Sequence, residues 1–264
     1  MRTKRYLPII VMLAIALVAS LFVILPLVSL VSYATLAGLT SAFSDPAVQL
    51  SMYLTMVAGG MASAISVVLG VPAGYVLART SGFPSKLLSS ILELPIMIPH
   101  FVVGIALLLF APFVFQSLLG VVAVMVFVGF SYTVKAAESS FVEMGAGFER
   151  AALTLGASPF RAFRSVSLPL SARSIAGGAL LSWARGIGEM GAFLVLAYYV
   201  YPVFPLLPTA TNPMSIYAYQ VYQLEGIRGA ASVSLVYISV SLAIFLVTKY
   251  VHHWKDLLIT STRI

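Results

Sequence analysis

Residues 94–134 contain no charged side chain; Glu93 and Lys135 bound the run. As one straight helix this stretch would be about 60 Å long, twice the hydrocarbon thickness of a bilayer. It has to cross, turn and cross back. Pro112, followed by Gln116 and Ser117, is the interruption at which the turn is placed. The same reading gives a first span over 7–34, a second over 46–78, a fifth over 174–199 and a sixth over 229–248, the last bounded by Arg228 and Lys249. The predicted fold class is all-α: a polytopic membrane protein with six transmembrane helices, forming a single transmembrane domain over 1–264.

Composition agrees. Only 9% of residues are charged, against about 25% in soluble domains. The chain has no cysteine, which excludes disulfides, thiol chemistry and Cys-ligated zinc. His100, His252 and His253 are too few and scattered for a metal centre, so no metal site is expected. Arg2, Lys4 and Arg5 precede a long apolar run with no small-residue cleavage site, which reads as a retained first helix rather than a signal peptide. Of the 15 Lys and Arg, all but Arg185 and Arg228 fall on the side of the N-terminus. The formal charge of +7 therefore follows the positive-inside rule and does not imply nucleic acid. Both termini are expected to be cytoplasmic, in a plasma membrane.

Residues 135–173 are the long hydrophilic insert, expected to be cytoplasmic. Its middle reads as two short helices around a corner. The first covers about 148–155 and ends at Gly156, a residue suited to a left-handed stop. Ser158 is a good N-cap and Pro159 a good first residue for the second helix, which is expected to run through Phe163 and stop near Pro169. Phe160 and Phe163 give an apolar stripe, and Arg161 and Arg164 a basic one. The pattern alone leaves two readings open: a grip for a soluble partner, or an amphipathic hairpin on anionic lipid.

Glu149, Arg150, Ala151, Ala152, Gly156, Val166, Leu168 and Pro169 resemble the EAA loop of ABC-transporter permeases. That loop runs Glu-Ala-Ala, three residues, Gly, nine residues, then Ile-x-Leu-Pro. Two positions depart: Arg150 stands where Glu is usual, with Glu149 one residue earlier, and Val166 replaces Ile. The resemblance implies a type I importer fold and a coupling helix that docks on an ATPase subunit. It assigns Glu149, Ala151, Ala152, Gly156, Ala157, Ser158, Pro159, Phe160 and Arg161 to that contact. Two further stretches, 94–100 and 182–192, are similar to the molybdate/tungstate permeases and more loosely to the sulfate ones. With the insert, the similarity covers nearly the whole chain.

The pathway or gate candidates are Pro95, Pro99, His100, Arg185, Gly188, Glu189 and Gly191. Pro95 and Pro99 each remove a helical N–H and predict a kink at the entry of the third span, for gating or for packing. His100 is either a pH-sensitive gate or a hydrogen-bonding partner of a neighbouring helix. Arg185 and Glu189 are four apart and share a helix face. Charges at that depth pair or face a polar cavity, so Arg185 either lines an oxyanion route or joins Glu189 in an ion pair that fixes packing. Gly59, Gly60, Gly70, Gly74, Gly177 and Gly178 read as close-packing positions. Residues 200–228 are the expected extracellular loop, with a short helix over 213–223.

Three functions are compared. An importer subunit predicts no ATP site here, and the sequence has no Gly-x-x-x-x-Gly-Lys-Ser/Thr. It implies a second copy of the chain, two cytoplasmic ABC ATPase subunits that use ATP and Mg, an external substrate-binding protein, and no cofactor bound by this chain. Molybdate or tungstate is the implied cargo, with sulfate or thiosulfate the alternative. An intramembrane enzyme would need a nucleophile with its base, or metal ligands; no Gly-x-Ser-x-Gly or His-Glu-x-x-His occurs. A passive channel would need no coupling insert.

Overall fold

The 94–134 run turns back where Pro112 and Gln116 stand. Pro112–Val114 forms a single 3-10 turn, and Gln116 takes a positive φ of 48°. The Gln116 N–H donates to the Leu196 carbonyl at 2.9 Å. The Ser117 hydroxyl accepts from the Gly120 N–H at 3.1 Å and caps the returning helix. This computed structural model describes the backbone of residues 3–261 and the side chains of residues 9–250. Arg2, Lys4, Arg5, His252, His253, Lys255 and Arg263, which entered the orientation and metal arguments, lie outside the described side chains.

The described chain is all-α apart from two isolated β-bridges. Its helices are α1 Thr3–Tyr33, α2 Leu36–Ser44, α3 Pro46–Arg79, α4 Phe83–Met97, α5 His100–Phe110, α6 Leu118–Met144, α7 Gly147–Thr154, α8 Pro159–Ala162, α9 Leu168–Ile187, α10 Gly191–Leu196 and α11 Met214–Ser261. Among the described residues, four are long and apolar enough to cross a membrane: Ile9–Tyr33 of α1, α3, α6, and Met214–Tyr250 of α11. The α4–α5 pair is a fifth crossing if taken as one broken span; its halves meet at 110°.

Two expected spans are thus not straight helices. The third breaks at Ile98–Pro99, where Ile98 is extended, with ψ 133°. Proline pushes its predecessor out of the helical region. Pro95, by contrast, is buried inside α4 and does not break it. The fifth was expected as one helix over 174–199. It begins earlier, at Leu168, stops at Ile187, and restarts as α10. The stop has a physical cause: Gly188 contributes no side-chain packing, and the Glu189 carboxylate accepts from the Ala192 N–H at 3.0 Å, satisfying a donor at the start of the new helix.

Helix α6 is the axis of the bundle, packed along α3 on one side and α9 on the other, while α5 lies against α10. Val121, Val124 and Met125 of α6 meet Leu54 and Ala58 of α3 and Phe193 and Leu196 of α10 in the main core. Helix α1 packs against α11 and leaves its apolar face outside the fold, as a lipid-facing helix must. Pro46 starts α3 behind Asp45, whose carboxylate accepts from the Ala47 N–H at 2.8 Å. The expected outer loop is irregular only to Pro213. The expected short helix there begins at Met214 and continues into the last span, broken at Gly226 with φ 73°. Asn212 does not cap it; its amide donates to the Tyr198 carbonyl at 2.5 Å.

The paired glycines divide sharply. A Cβ at Gly178 would lie 2.5 Å from Ala136 Cβ and 3.2 Å from Thr133 Cα of α6, whereas one at Gly177 meets nothing within 4 Å. Likewise Gly59 sits against Trp183 and Gly60 faces open space. Only one residue of each pair is a packing position. We therefore predict that Gly178→Ala lowers stability by about 1–3 kcal/mol through forced separation of α6 and α9. Gly177→Ala, one residue away on the same helix, should be neutral or slightly stabilising. Equilibrium unfolding in detergent micelles measures both.

Candidate functional site

The corner forms as its residues dictate. Helix α7 ends at Thr154, and Gly156 follows with φ 86°, a conformation strained for any residue with a Cβ. The Ala157 N–H donates to the Ala152 carbonyl at 3.0 Å, closing the end of α7. The Ser158 hydroxyl accepts from the Arg161 N–H at 3.3 Å, and Pro159 opens α8. The second helix does not stop near Pro169. It passes through a π-helical turn, Phe163–Ser167, straight into α9. There the Leu168 N–H reaches back to the Phe163 carbonyl. Pro169 then follows directly after the π-turn, where the regular i→i−4 pattern is already interrupted, so its missing N–H does not end the helix.

The π-turn also splits the expected Phe160–Phe163 stripe. Phe163 is tucked against Tyr75 (ring centroids 4.8 Å apart) and Phe141 (6.1 Å). Phe160 points outward and is 71% exposed. Leu155, Phe148, Arg150 and Arg161 are exposed with it. The corner therefore presents apolar and basic side chains together, with Ala151 and Ser158 exposed and Ala152 and Ala157 half-buried.

Glu149 does not join that surface. It is buried on the inner face of α7. Its Oε1 pairs with Arg79 Nη2 at 2.8 Å and its Oε2 accepts from Arg79 Nε at 3.1 Å. Tyr75 donates to Oε2 at 3.2 Å, and the Ser167 hydroxyl donates to Oε1. Arg79 also donates to the carbonyls of Phe141 at 2.9 Å and Gly145 at 3.0 Å. One carboxylate thus ties the end of α3, the end of α6, α7 and the π-turn together. Sequence reasoning grouped Glu149 with the docking residues. Its partner Arg79 is 70 residues away, and nothing local announces the pairing.

Hydrogen bonds from Arg79 hold the Glu149 carboxyl below the ordinary carboxylate range, against the opposing effect of burial. A depressed carboxylate stabilises the fold above its unfolded value, and that contribution is lost as pH falls through the folded value.

A second charged cluster joins the two broken spans. Arg185, in the last turn of α9, reaches Glu189 Oε2 with Nη2 at 3.1 Å. His100, the first residue of α5, meets the same oxygen with Nδ1 at 2.6 Å. Arg185 Nη2 also contacts His100 Nε2 at 2.7 Å. The Ser215 hydroxyl donates to the Glu189 carbonyl. Gly191 lets α10 approach this point: a Cβ there would lie 3.1 Å from the Phe101 nitrogen of α5. Pro99 caps the start of α5 and Gly188 the end of α9. The structure thus brings Pro99, His100, Arg185, Gly188, Glu189 and Gly191 to one junction and leaves Pro95 apart, inside α4. A further cluster, which sequence reasoning did not single out, links α6 to α4: Lys135 pairs with the distant Glu93 of α4 at 2.5 Å and with Glu138, one turn along α6, at 3.0 Å. Among the described residues no group of His, Cys, Asp or Glu is arranged to hold a metal.

Glu149→Gln should lower stability by about 2 kcal/mol, because Arg79 keeps its site but loses its counter-charge. Amide hydrogen exchange over 147–167 should speed up at neutral pH in this variant. In the parent chain the same loss of protection, taken relative to the intrinsic exchange rate at each pH, should appear only as pH falls below the ordinary carboxylate range, and acidification should add little in the variant.

Comparison with known proteins is consistent with this architecture. Residues 70–256 match the family described as binding-protein-dependent transport system inner membrane component. The molybdate/tungstate transport system permease protein of Thermococcus kodakarensis is 36% identical, over 80% of this chain and 82% of that protein. The protein of the same name from Pyrococcus abyssi is 35% identical over the same shares. The sulfate transport system permease protein of Salmonella typhimurium is 30% identical over 67% of this chain and 70% of its own length. Among solved structures, a bacterial ABC transporter involved in import of the acidic polysaccharide alginate aligns with TM-score 0.63 and 16% identity, covering 95% of this chain and 98% of that one. The inward-facing MetNI methionine ABC transporter aligns with TM-score 0.58 and 16% identity, covering 78% and 92%. The fold is that of type I ABC importer permeases, and the chain belongs to the family of binding-protein-dependent transport system inner membrane components, as a multi-pass transport subunit.

Proposed function

We propose that the chain is the membrane-spanning subunit of an ATP-driven importer for molybdate or tungstate. Two copies form the path, with both termini in the cytoplasm. Two ATPase subunits bind ATP and Mg on the cytoplasmic side, and an external protein delivers the anion. The observation that carries the reading is the corner around Gly156. A glycine at φ 86° turns α7 into α8 and leaves Phe160 and Leu155 outside the fold. Exposed apolar side chains beside Arg150 and Arg161 suit a protein cleft. The buried Glu149–Arg79 pair, which ties the corner to α3, suits transmission of force better than passive lodging on lipid. The oxyanion is inferred from the relatives: those named for molybdate and tungstate are 32–36% identical over 80–85% of this chain, and the sulfate one is 30% identical over 67%.

The test is uptake into proteoliposomes holding the permease with its ATPase subunits and cognate external protein. ATP-dependent uptake of molybdate and tungstate is expected, with sulfate at least about tenfold less effective as a competitor, an energy difference of roughly 1.4 kcal/mol. Sulfate uptake that outcompetes both metal oxyanions would transfer the reading to sulfate.

A further inference from the structure

We propose that Arg185, held in place by His100, forms a transient site for a tetrahedral dianion, and that Glu189 is its built-in counter-ion. The inference rests on the reading of the chain as an oxyanion importer and says where the anion pauses.

The geometry separates the three groups by depth. The side chains of Arg185 and His100 each keep 26% of their surface open, while Glu189 keeps 1%. The carboxylate is enclosed, while Arg185 and the imidazole that holds it are partly open. Glu189 is also held in place: Oε1 accepts from the Ala192 N–H at 3.0 Å, and the Ser215 hydroxyl donates to its main-chain carbonyl. The contacts of Arg185 with Glu189 and His100 run through Nη2. A guanidinium carries five N–H groups in a planar fork, so its open edge suits an anion's oxygens.

The location fits passage rather than storage. Arg185 and His100 stand on different broken spans, at the point where both interrupt their helices. Interrupted backbone and ionised groups persist at membrane depth where protein buries them or where they line a watery cavity. Here Glu189 is the buried member, and Arg185 keeps part of its surface outside the fold.

Charge sets the strength. Arg185 alone in a low-dielectric site would hold a dianion tightly, and a held anion is not transported. Glu189 offsets that charge from 3.1 Å away. Conduction needs binding strong enough to enter and weak enough to leave. A clamp that merely packs two helices would not require the guanidinium of Arg185 to keep part of its surface open.

The experiment measures tungstate binding to the permease–ATPase complex in nanodiscs without the external protein, by equilibrium dialysis. Glu189→Gln should bind tungstate on the order of tenfold more tightly than the parent, since one negative charge beside the site is gone. The same variant should release anion more slowly in uptake assays. Arg185→Gln combined with Glu189→Gln should lose that gain while still assembling, as judged by size-exclusion chromatography. Unchanged tungstate affinity in an assembled Glu189→Gln complex would overturn the inference and leave the import reading standing. If Glu189→Gln does not assemble, the neutral double variant decides: uptake should fall about tenfold or more, and parental uptake would overturn the proposal. A parent complex that imports no tetrahedral oxyanion would instead remove the import reading itself.

Discussion

Everything at the corner depends on one buried ion pair, Glu149 with Arg79. A carboxylate withdrawn from water is costly unless its oxygens are fully engaged. Here they are met by the Arg79 guanidinium, the Tyr75 phenol and the Ser167 hydroxyl. Those partners come from α3 and the π-turn, so engaging the charge fixes how α7 sits on the bundle. Beneath it, Tyr75 and Phe141 meet edge to face with centroids 5.3 Å apart. The polar pin supplies position and the aromatic floor supplies burial. The ion pair joins the exposed corner to α3, and the π-turn runs from it into α9 without a break.

The other junction obeys a different constraint. A bilayer does not solvate loose peptide groups, so every helix break has to be satisfied inside the protein. The chain meets this by placing two breaks side by side. The α4–α5 break at Pro99 and the α9–α10 break at Gly188 face each other, with α5 packed on α10. Glu189 serves the arrangement twice, as acceptor for the Ala192 N–H and as counter-charge to Arg185. In the importer reading, these paired breaks lie where the path would narrow, and the corner lies where the ATPases would push.

Much of this was legible in the sequence. The uncharged runs gave the long helices; the length of 94–134 required a turn, and Pro112 with Gln116 and Ser117 placed it. Gly156, Ser158 and Pro159 gave the corner, since each residue type has a local conformational reason for its place. Arg185 and Glu189 do meet, but not on one helix face as their spacing suggested: Glu189 lies past the end of α9, in the break before α10. The hydrogen-bonding reading of His100 agrees with its contacts. What stayed hidden depends on distant partners or on ambiguous breakers. Pro169 reads as a stop, but a π-turn ahead of it lets the helix continue. Pro95 and Pro99 look equivalent, yet only Pro99 breaks its helix. Glu149 reads as a surface residue of an amphipathic helix until Arg79 is brought beside it. Glycine pairs such as Gly177–Gly178 cannot be sorted without knowing which side faces α6.

The central claim is that the corner is the contact through which ATP hydrolysis reaches the membrane path. The chain has no native cysteine, so a single one at Phe160 gives an unambiguous probe. We expect Phe160→Cys to cross-link to the ATPase subunit in the assembled complex, with an efficiency that changes between nucleotide-free and ATP-bound states. A cysteine at Phe204, on the 200–213 loop, should not cross-link. Failure of Phe160→Cys to cross-link in a complex that still hydrolyses ATP, or equal cross-linking from both positions, would contradict the account.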